Sequence, residues 1–117
     1  MPRDTFHVMF RVVSKNAIPD AVFEAAREVL PVFRKQPGFQ GSTLFRSHDS
    51  KLLVNHLRWD SKGDHEACRS SADFRAVADA WAAIFAAGKV EVQTFETLAE
   101  TVAPRKMCKR RKAKPAA

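Results

Sequence analysis

Apolar and polar residues alternate along four short segments of the chain, and longer segments between them repeat apolar positions every third or fourth residue. Alternation with a period of two is typical of strands that bury one face, whereas the longer repeat is typical of helices packed on one side. Taken in chain order, these patterns predict the element order βαββαβ.

The first strand is predicted over 5–13 and the first helix over about 19–35. Pro19 suits the first turn of a helix, and Asp20 favours the positive end of its dipole. Pro31 predicts a kink or an early end, because proline removes one backbone hydrogen bond and crowds the preceding turn. The apolar faces hold Phe6, Val8, Phe10 and Val12 in the strand and Val22, Ala26, Val29 and Phe33 in the helix.

Pro37–Gly38 ends the first helix, and a hairpin is predicted after it. Its strands run over 41–47 and 52–60, and the polar segment 48–51 joins them. The period of two places four residues of the second strand on one face, namely Leu53, Asn55, Leu57 and Trp59.

Asn55 interrupts this otherwise apolar row. A buried amide without a partner costs about 1–3 kcal/mol, so Asn55 must bond to backbone, meet solvent, or face a cavity that holds water or a ligand. The residues alone leave these alternatives open.

Two helical segments and a strand complete the pattern. Ser61 is predicted to cap a short helix, and Ser70 or Ser71 a longer one that ends at Gly88, before a last strand over 89–98. The apolar stripe of the longer helix consists of Phe74, Val77, Ala78, Trp81 and Phe85.

The order βαββαβ predicts an α+β, ferredoxin-like fold, a four-stranded antiparallel sheet with both helices on one face. The opposite face also carries apolar groups, among them Met9, Val13 and Phe95. Because a single sheet would leave these groups in water, a second copy of the chain is the simplest cover. The sequence therefore predicts a homodimer.

Composition narrows the class of protein. A chain of 117 residues is long enough for one core. No apolar run approaches the length of a membrane span, and the start lacks the layout of a secretory signal, so a cytoplasmic location is expected. Cys68 and Cys108 form a poor disulfide framework, and we expect reduced thiols.

The net charge of +7 comes from the end of the chain, because seven basic residues lie between Arg105 and Lys114 and the rest is neutral. We predict a folded domain over 1–103 and a disordered basic tail over 104–117. The tail lacks interleaved aromatic residues, so no specific nucleic acid is expected, and nonspecific contact with polyanions stays open.

Beyond these patterns, the chain resembles the antibiotic biosynthesis monooxygenase domain over about 5–99. The resemblance rests on the element order, on Pro37-Gly38-Phe39, on Trp59-Asp60-Ser61 at the end of the hairpin, and on Ser71-Ala72-Asp73-Phe74. It implies a dimeric α+β barrel. It implies an activity less strongly, because one fold serves many functions.

The segment VNHLRWDS is most similar to small cofactor-independent enzymes of this family that oxidise polycyclic aromatic phenols to quinones. The resemblance implies that Asn55 and Trp59 are catalytic. A tyrosine of those enzymes corresponds to His65, and the chain has no tyrosine, so His65 would take the phenolic proton. The substrate-binding residues implied are Phe10, Leu57, Phe74 and Trp81.

In this hypothesis the electrons come from the substrate. The chain shows no glycine-rich dinucleotide turn and no metal-ligand spacing, so neither a cofactor nor a metal is expected. The protein would hold a phenolate, exclude water and orient the ring toward dioxygen. Asn55 would donate a hydrogen bond to a substrate oxygen, and Trp59 would stack or donate through its N–H.

Plainer alternatives remain for each residue. Trp59, Phe74 and Trp81 could be core residues, and His65 could lie on the surface. The whole domain could be a non-catalytic module that binds a small hydrophobic ligand or is packed shut. A haem-degrading branch of the family is disfavoured, because its Asn, Trp and His correspond here to Phe10, Cys68 and Ala78.

Overall fold

The computed structural model describes residues 5–104, so Cys108 and all of the predicted tail except Pro104 lie outside the described residues. The predicted order of strands and helices is confirmed. The strands are β1 (Phe6–Val13), β2 (Phe39–Arg46), β3 (Leu52–Trp59) and β4 (Lys89–Glu96). The helices are α1 (Asp20–Arg34), α2 (Lys62–Arg69), α3 (Ala72–Arg75) and α4 (Ala78–Ala86).

The four strands form one antiparallel sheet in the order β2-β3-β1-β4, which confirms the ferredoxin-like fold. In the register of this sheet, Phe10 of β1 lies between Asn55 of β3 and Val92 of β4. Cross-strand partners share a face, so these three side chains point to the same side. This row becomes the floor of the cavity described below.

The core lies between the sheet and the helices, and α1 packs against α4. Helix α1 continues through Pro31 to Arg34, so an early end at this proline is wrong. Pro31 is exposed, while Val29 and Phe33 on either side of it are buried. Burial of this apolar face stabilises the turn that lacks one backbone hydrogen bond.

The long helix predicted from near Ala72 is two segments instead. The hydroxyl of Ser71 accepts the N–H of Phe74 at 3.1 Å, which starts α3 as predicted. Val77, with φ −109° and ψ 30°, then interrupts the helical backbone before α4 begins. Across this break the rings of Phe74 and Trp81 stack with centroids 4.9 Å apart, and together they form one side of the cavity.

Gly88 joins α4 to β4 with very little space around it. A Cβ atom at this position would collide with the carbonyl oxygen of Val13, so any larger residue would push the start of β4 away from β1. Glycine is therefore required by a close approach of two backbones. Among residues 5–104, no helix has the length and apolar content needed to cross a membrane.

Candidate active site

A cavity of about 280 Å³ lies between the sheet and the helices. The strands β1, β3 and β4 supply its floor, and the four helices supply its walls. Four exposed residues mark the solvent side of its lining, namely Arg69, Phe85, Val90 and Val92. Its lining includes six of the seven residues predicted from sequence, namely Phe10, Asn55, Leu57, His65, Phe74 and Trp81.

Asn55 is the polar group at the floor of the cavity. It is only 4% exposed, which rules out simple exposure to solvent. Its Oδ1 atom has no hydrogen-bond partner in the described part of the chain, so the backbone alternative is wrong for this oxygen. The alternative that remains is the cavity, which Asn55 helps to line.

His65 lies in the wall of the same cavity. Ser61 caps α2 by accepting the N–H of Asp64 at 3.1 Å, and His65 follows in the first turn of that helix. The imidazole is half-buried, 5.7 Å from the Trp59 ring and 6.2 Å from the Phe6 ring between centroids. The simple surface position weighed for His65 is therefore wrong.

The electrostatic surroundings of His65 favour a neutral ring. Burial lowers its pKa below 6.5, the charge of Arg69 lowers it further, and Glu66 acts in the opposite direction. Desolvation disfavours the imidazolium, which explains the direction of the shift. Near neutral pH the ring is an unprotonated base, as proton removal from a phenol requires.

Trp59 occupies a different place from the one expected. Its side chain is fully buried, packs edge-on against Phe39 at 5.1 Å and against Phe33 at 6.3 Å, and is absent from the cavity lining. The period of two along β3 predicted which face of the sheet Trp59 lies on. It did not predict that the ring packs among other core residues instead of lining the cavity. Direct contact between Trp59 and a substrate stays a prediction, whereas its packing against His65 suits an orienting role.

Trp81 brings a polar group that the sequence interpretation overlooked. Its ring lines the cavity between Phe74 and Phe10, and its Nε1 atom is buried without a partner among the described residues. A buried indole N–H normally finds an acceptor. The N–H of Trp81 is therefore a buried donor that the described residues leave unpaired, while the residue itself lines the cavity.

The sequence interpretation also missed several lining residues. Val90 and Val92 could have been found, because pairing β4 with β1 puts them beside Val12 and Phe10 on the helix side. Arg69 gave no signal, since a basic residue at the end of a helix is ordinary. The complete set missed is Val8, Phe33, Arg69, Phe85, Val90 and Val92.

The other candidate chemistry in this region is weak. Burial, together with the charge of Asp73, raises the pKa of the Cys68 thiol to about 11. A thiol in that state is a poor nucleophile near neutral pH. Within residues 5–104, no group of three or more His, Cys, Asp or Glu side chains is placed to hold a metal ion.

A ferredoxin-like sheet with an aromatic-lined cavity under its helices defines the class of this protein as a small α+β domain. Residues 5–80 match the family described as antibiotic biosynthesis monooxygenase. The chain belongs to this family, which confirms the resemblance drawn from its sequence.

Several solved structures share the fold. SnoaB, a cofactor-independent oxygenase from Streptomyces nogalater, is 21% identical, covering 88% of this chain and 100% of that chain at a TM-score of 0.67. The ActVA-Orf6 monooxygenase of Streptomyces coelicolor, in complex with Nanaomycin D, is 19% identical. The match covers 89% of this chain and 96% of that chain at a TM-score of 0.68.

Rv0793 from Mycobacterium tuberculosis is also 19% identical, covering 84% of this chain and 99% of that chain at a TM-score of 0.67. At these identities the likeness shows the fold alone. No curated protein is significantly similar to this chain in sequence.

Proposed function

We propose that this protein is a cofactor-independent monooxygenase that oxidises an electron-rich polycyclic aromatic phenol to a quinone with dioxygen. The observation that carries the proposal is the placement of the buried Asn55 amide and the half-buried, neutral His65 in the lining of one aromatic-walled cavity. The amide N–H of Asn55 can donate a hydrogen bond to a substrate oxygen, and His65 can remove the proton from that oxygen.

The proposed reaction balances without an added electron donor. His65 takes the proton of the phenol or enol, and the anion supplies electrons to dioxygen. One oxygen atom forms a new C–O bond at the opposite ring carbon. The O–O bond then breaks as that carbon loses its one hydrogen and becomes a carbonyl, and the second oxygen leaves as water with this hydrogen and the proton that His65 returns. The side chains of Phe10, Leu57, Phe74 and Trp81 hold the ring flat and limit water.

Family membership supports this proposal, and so do the descriptions of two structural relatives. One is a cofactor-independent oxygenase and the other is a monooxygenase complexed with Nanaomycin D. The second candidate function, a non-catalytic module for a small hydrophobic ligand, has the same cavity in its favour, because most of its lining is apolar.

Oxygen uptake on anthrone without added cofactor separates the two functions. We expect the protein to consume one O₂ for each anthraquinone formed, faster than the background oxidation of anthrone in buffer. Treatment with a chelator should leave the rate unchanged, because the electrons come from the substrate. Binding of anthrone with no uptake above background would contradict the oxygenase and favour the ligand-binding module.

We further propose that the protein is a homodimer joined through the sheet face opposite the helices. Three apolar side chains there are 41–51% exposed, namely Val13, Phe45 and Phe95. Beside them His7 Nδ1 and His56 Nε2 lie 2.8 Å apart, and a shallow depression of about 670 Å³ runs along residues 95–100. A second sheet would cover these apolar groups and fill the depression.

Sedimentation velocity tests the dimer. We expect the wild-type protein to sediment at twice the mass of the chain. A variant with Phe45→Glu and Phe95→Glu should sediment as the monomer, because each change places a charge in the apolar contact. The control Ala21→Glu, on the exposed side of α1, should stay dimeric. A monomeric wild-type protein at tens of micromolar would contradict the proposal.

A further inference from the structure

A charged side chain that the proposed reaction does not use lines the cavity. Arg69 is the exposed last residue of α2, and it lines the same space as Asn55 and His65. Within residues 5–104 its guanidinium forms no ion pair, although Glu66 and Asp73 lie nearby in the chain. An unpaired cation beside a space with apolar walls favours an anion there, because such walls weaken solvent screening.

The end of α2 does not need Arg69 for its own stability. Ser71 donates to the carbonyl of Cys68 twice, from its N–H at 3.0 Å and from its hydroxyl at 2.7 Å. The guanidinium of Arg75 donates to the carbonyl of Ser70 at 2.8 Å. These bonds satisfy carbonyls that a helix leaves open at its end, which is the usual structural task of a basic residue in the last turn. Arg69 is therefore available to a molecule from outside the chain.

The polar groups of the cavity lie at two depths. Asn55 is 4% exposed at the floor, whereas Arg69 is exposed at the surface end of the wall, and His65 is half-buried. The walls next to them are aromatic or aliphatic. A ligand that uses both ends needs one oxygen deep in the cavity and a second, negatively charged group at its mouth.

We propose that the substrate carries a carboxylate in addition to its phenol, and that Arg69 binds this carboxylate at the mouth of the cavity. The inference rests on the proposed function of the same cavity. A planar guanidinium matches a carboxylate with two parallel hydrogen bonds, which a lysine ammonium cannot reproduce. Arg69 thereby selects hydroxylated aromatic acids and fixes the orientation in which the phenol reaches Asn55 and His65.

Anaerobic calorimetric titration with a matched pair of ligands tests this assignment. The probes 2-naphthol and 6-hydroxy-2-naphthoate share a ring and a hydroxyl, and they differ by a carboxylate at the far end of the ring. We expect the acid to bind wild-type protein about tenfold more tightly, in line with a hydrogen-bonded charge pair. Arg69→Gln should erase this preference and Arg69→Lys should retain part of it. The control Arg27→Gln, on the exposed side of α1, should change nothing.

Each result decides the matter. Equal binding of the two probes to wild-type protein, or a preference for the acid that survives in Arg69→Gln, overturns the role of Arg69. Oxygen uptake on anthrone, which has no carboxylate, reports separately on the proposed function. If anthrone is oxidised while the acid shows no preference, the oxygenase stands and the carboxylate assignment fails. If neither probe binds and anthrone is not oxidised, both proposals fail.

Discussion

Replacing Asn55 by leucine is expected to lower kcat/KM for the aromatic substrate by about 100-fold and, at the same time, to make the protein more stable. The loss follows because the amide N–H of Asn55 is the donor proposed for the substrate oxygen, and one donor to a developing oxyanion contributes about 10²–10³ in rate. The gain follows because a buried polar atom without a partner costs about 1–3 kcal/mol, and Oδ1 of Asn55 is such an atom among the described residues. Oxygen uptake and thermal unfolding of the same preparation measure both effects.

The opposite signs of these two effects make the experiment specific. A merely structural residue would lose activity and stability together. Asn16→Leu, in the exposed loop after β1, is the matched control and should change neither quantity. Full activity in Asn55→Leu would show that the amide does not contact the substrate. A lower melting temperature would show that this amide is already satisfied in the folded protein.

Replacing His65 by alanine is expected to lower kcat/KM by about 10²–10³ and to remove the acidic limb of the pH profile. General-base catalysis contributes a factor of about 10²–10⁴ in rate, and water acting as the base would restore part of this factor in the variant. Burial depresses the pKa of His65 below 6.5, so the wild-type ring is neutral above that pKa and active. As the pH falls below this pKa, the ring is protonated and kcat/KM should fall about tenfold per pH unit.

A second histidine supplies the control for this profile. His48 lies in the exposed turn between β2 and β3, and His48→Ala should retain both the rate and the acidic limb. The initial rate of oxygen uptake between pH 5 and pH 8 gives the profile of each variant. An acidic limb that persists unchanged in His65→Ala would assign the titration to another group and refute the role of His65 as the base.

The sequence was sufficient for the order of elements because each element carries its own periodicity. It was insufficient for the break between α3 and α4, because the apolar stripe from Phe74 to Trp81 is continuous and contains neither glycine nor proline. Packing of the two rings against each other, at 4.9 Å, is a tertiary contact that no local pattern encodes.

The candidate site shows the same limit. Asn55 was evident because a polar residue in an apolar row is an anomaly at any depth. The position of Trp59 behind the cavity was not evident, because alternation gives a face but not which helix covers it. Arg69 was missed because its place in the cavity lining is a tertiary feature, which only coordinates reveal.

The buried thiol of Cys68 affects how well the protein would resist oxidation during the proposed reaction with dioxygen. Direct reaction of dioxygen with an organic anion releases superoxide or peroxide whenever the turnover fails to couple. These species attack thiolates in preference to thiols. With its pKa raised to about 11 and its side chain 1% exposed, Cys68 stays protonated and shielded, so this cysteine should resist oxidative self-inactivation.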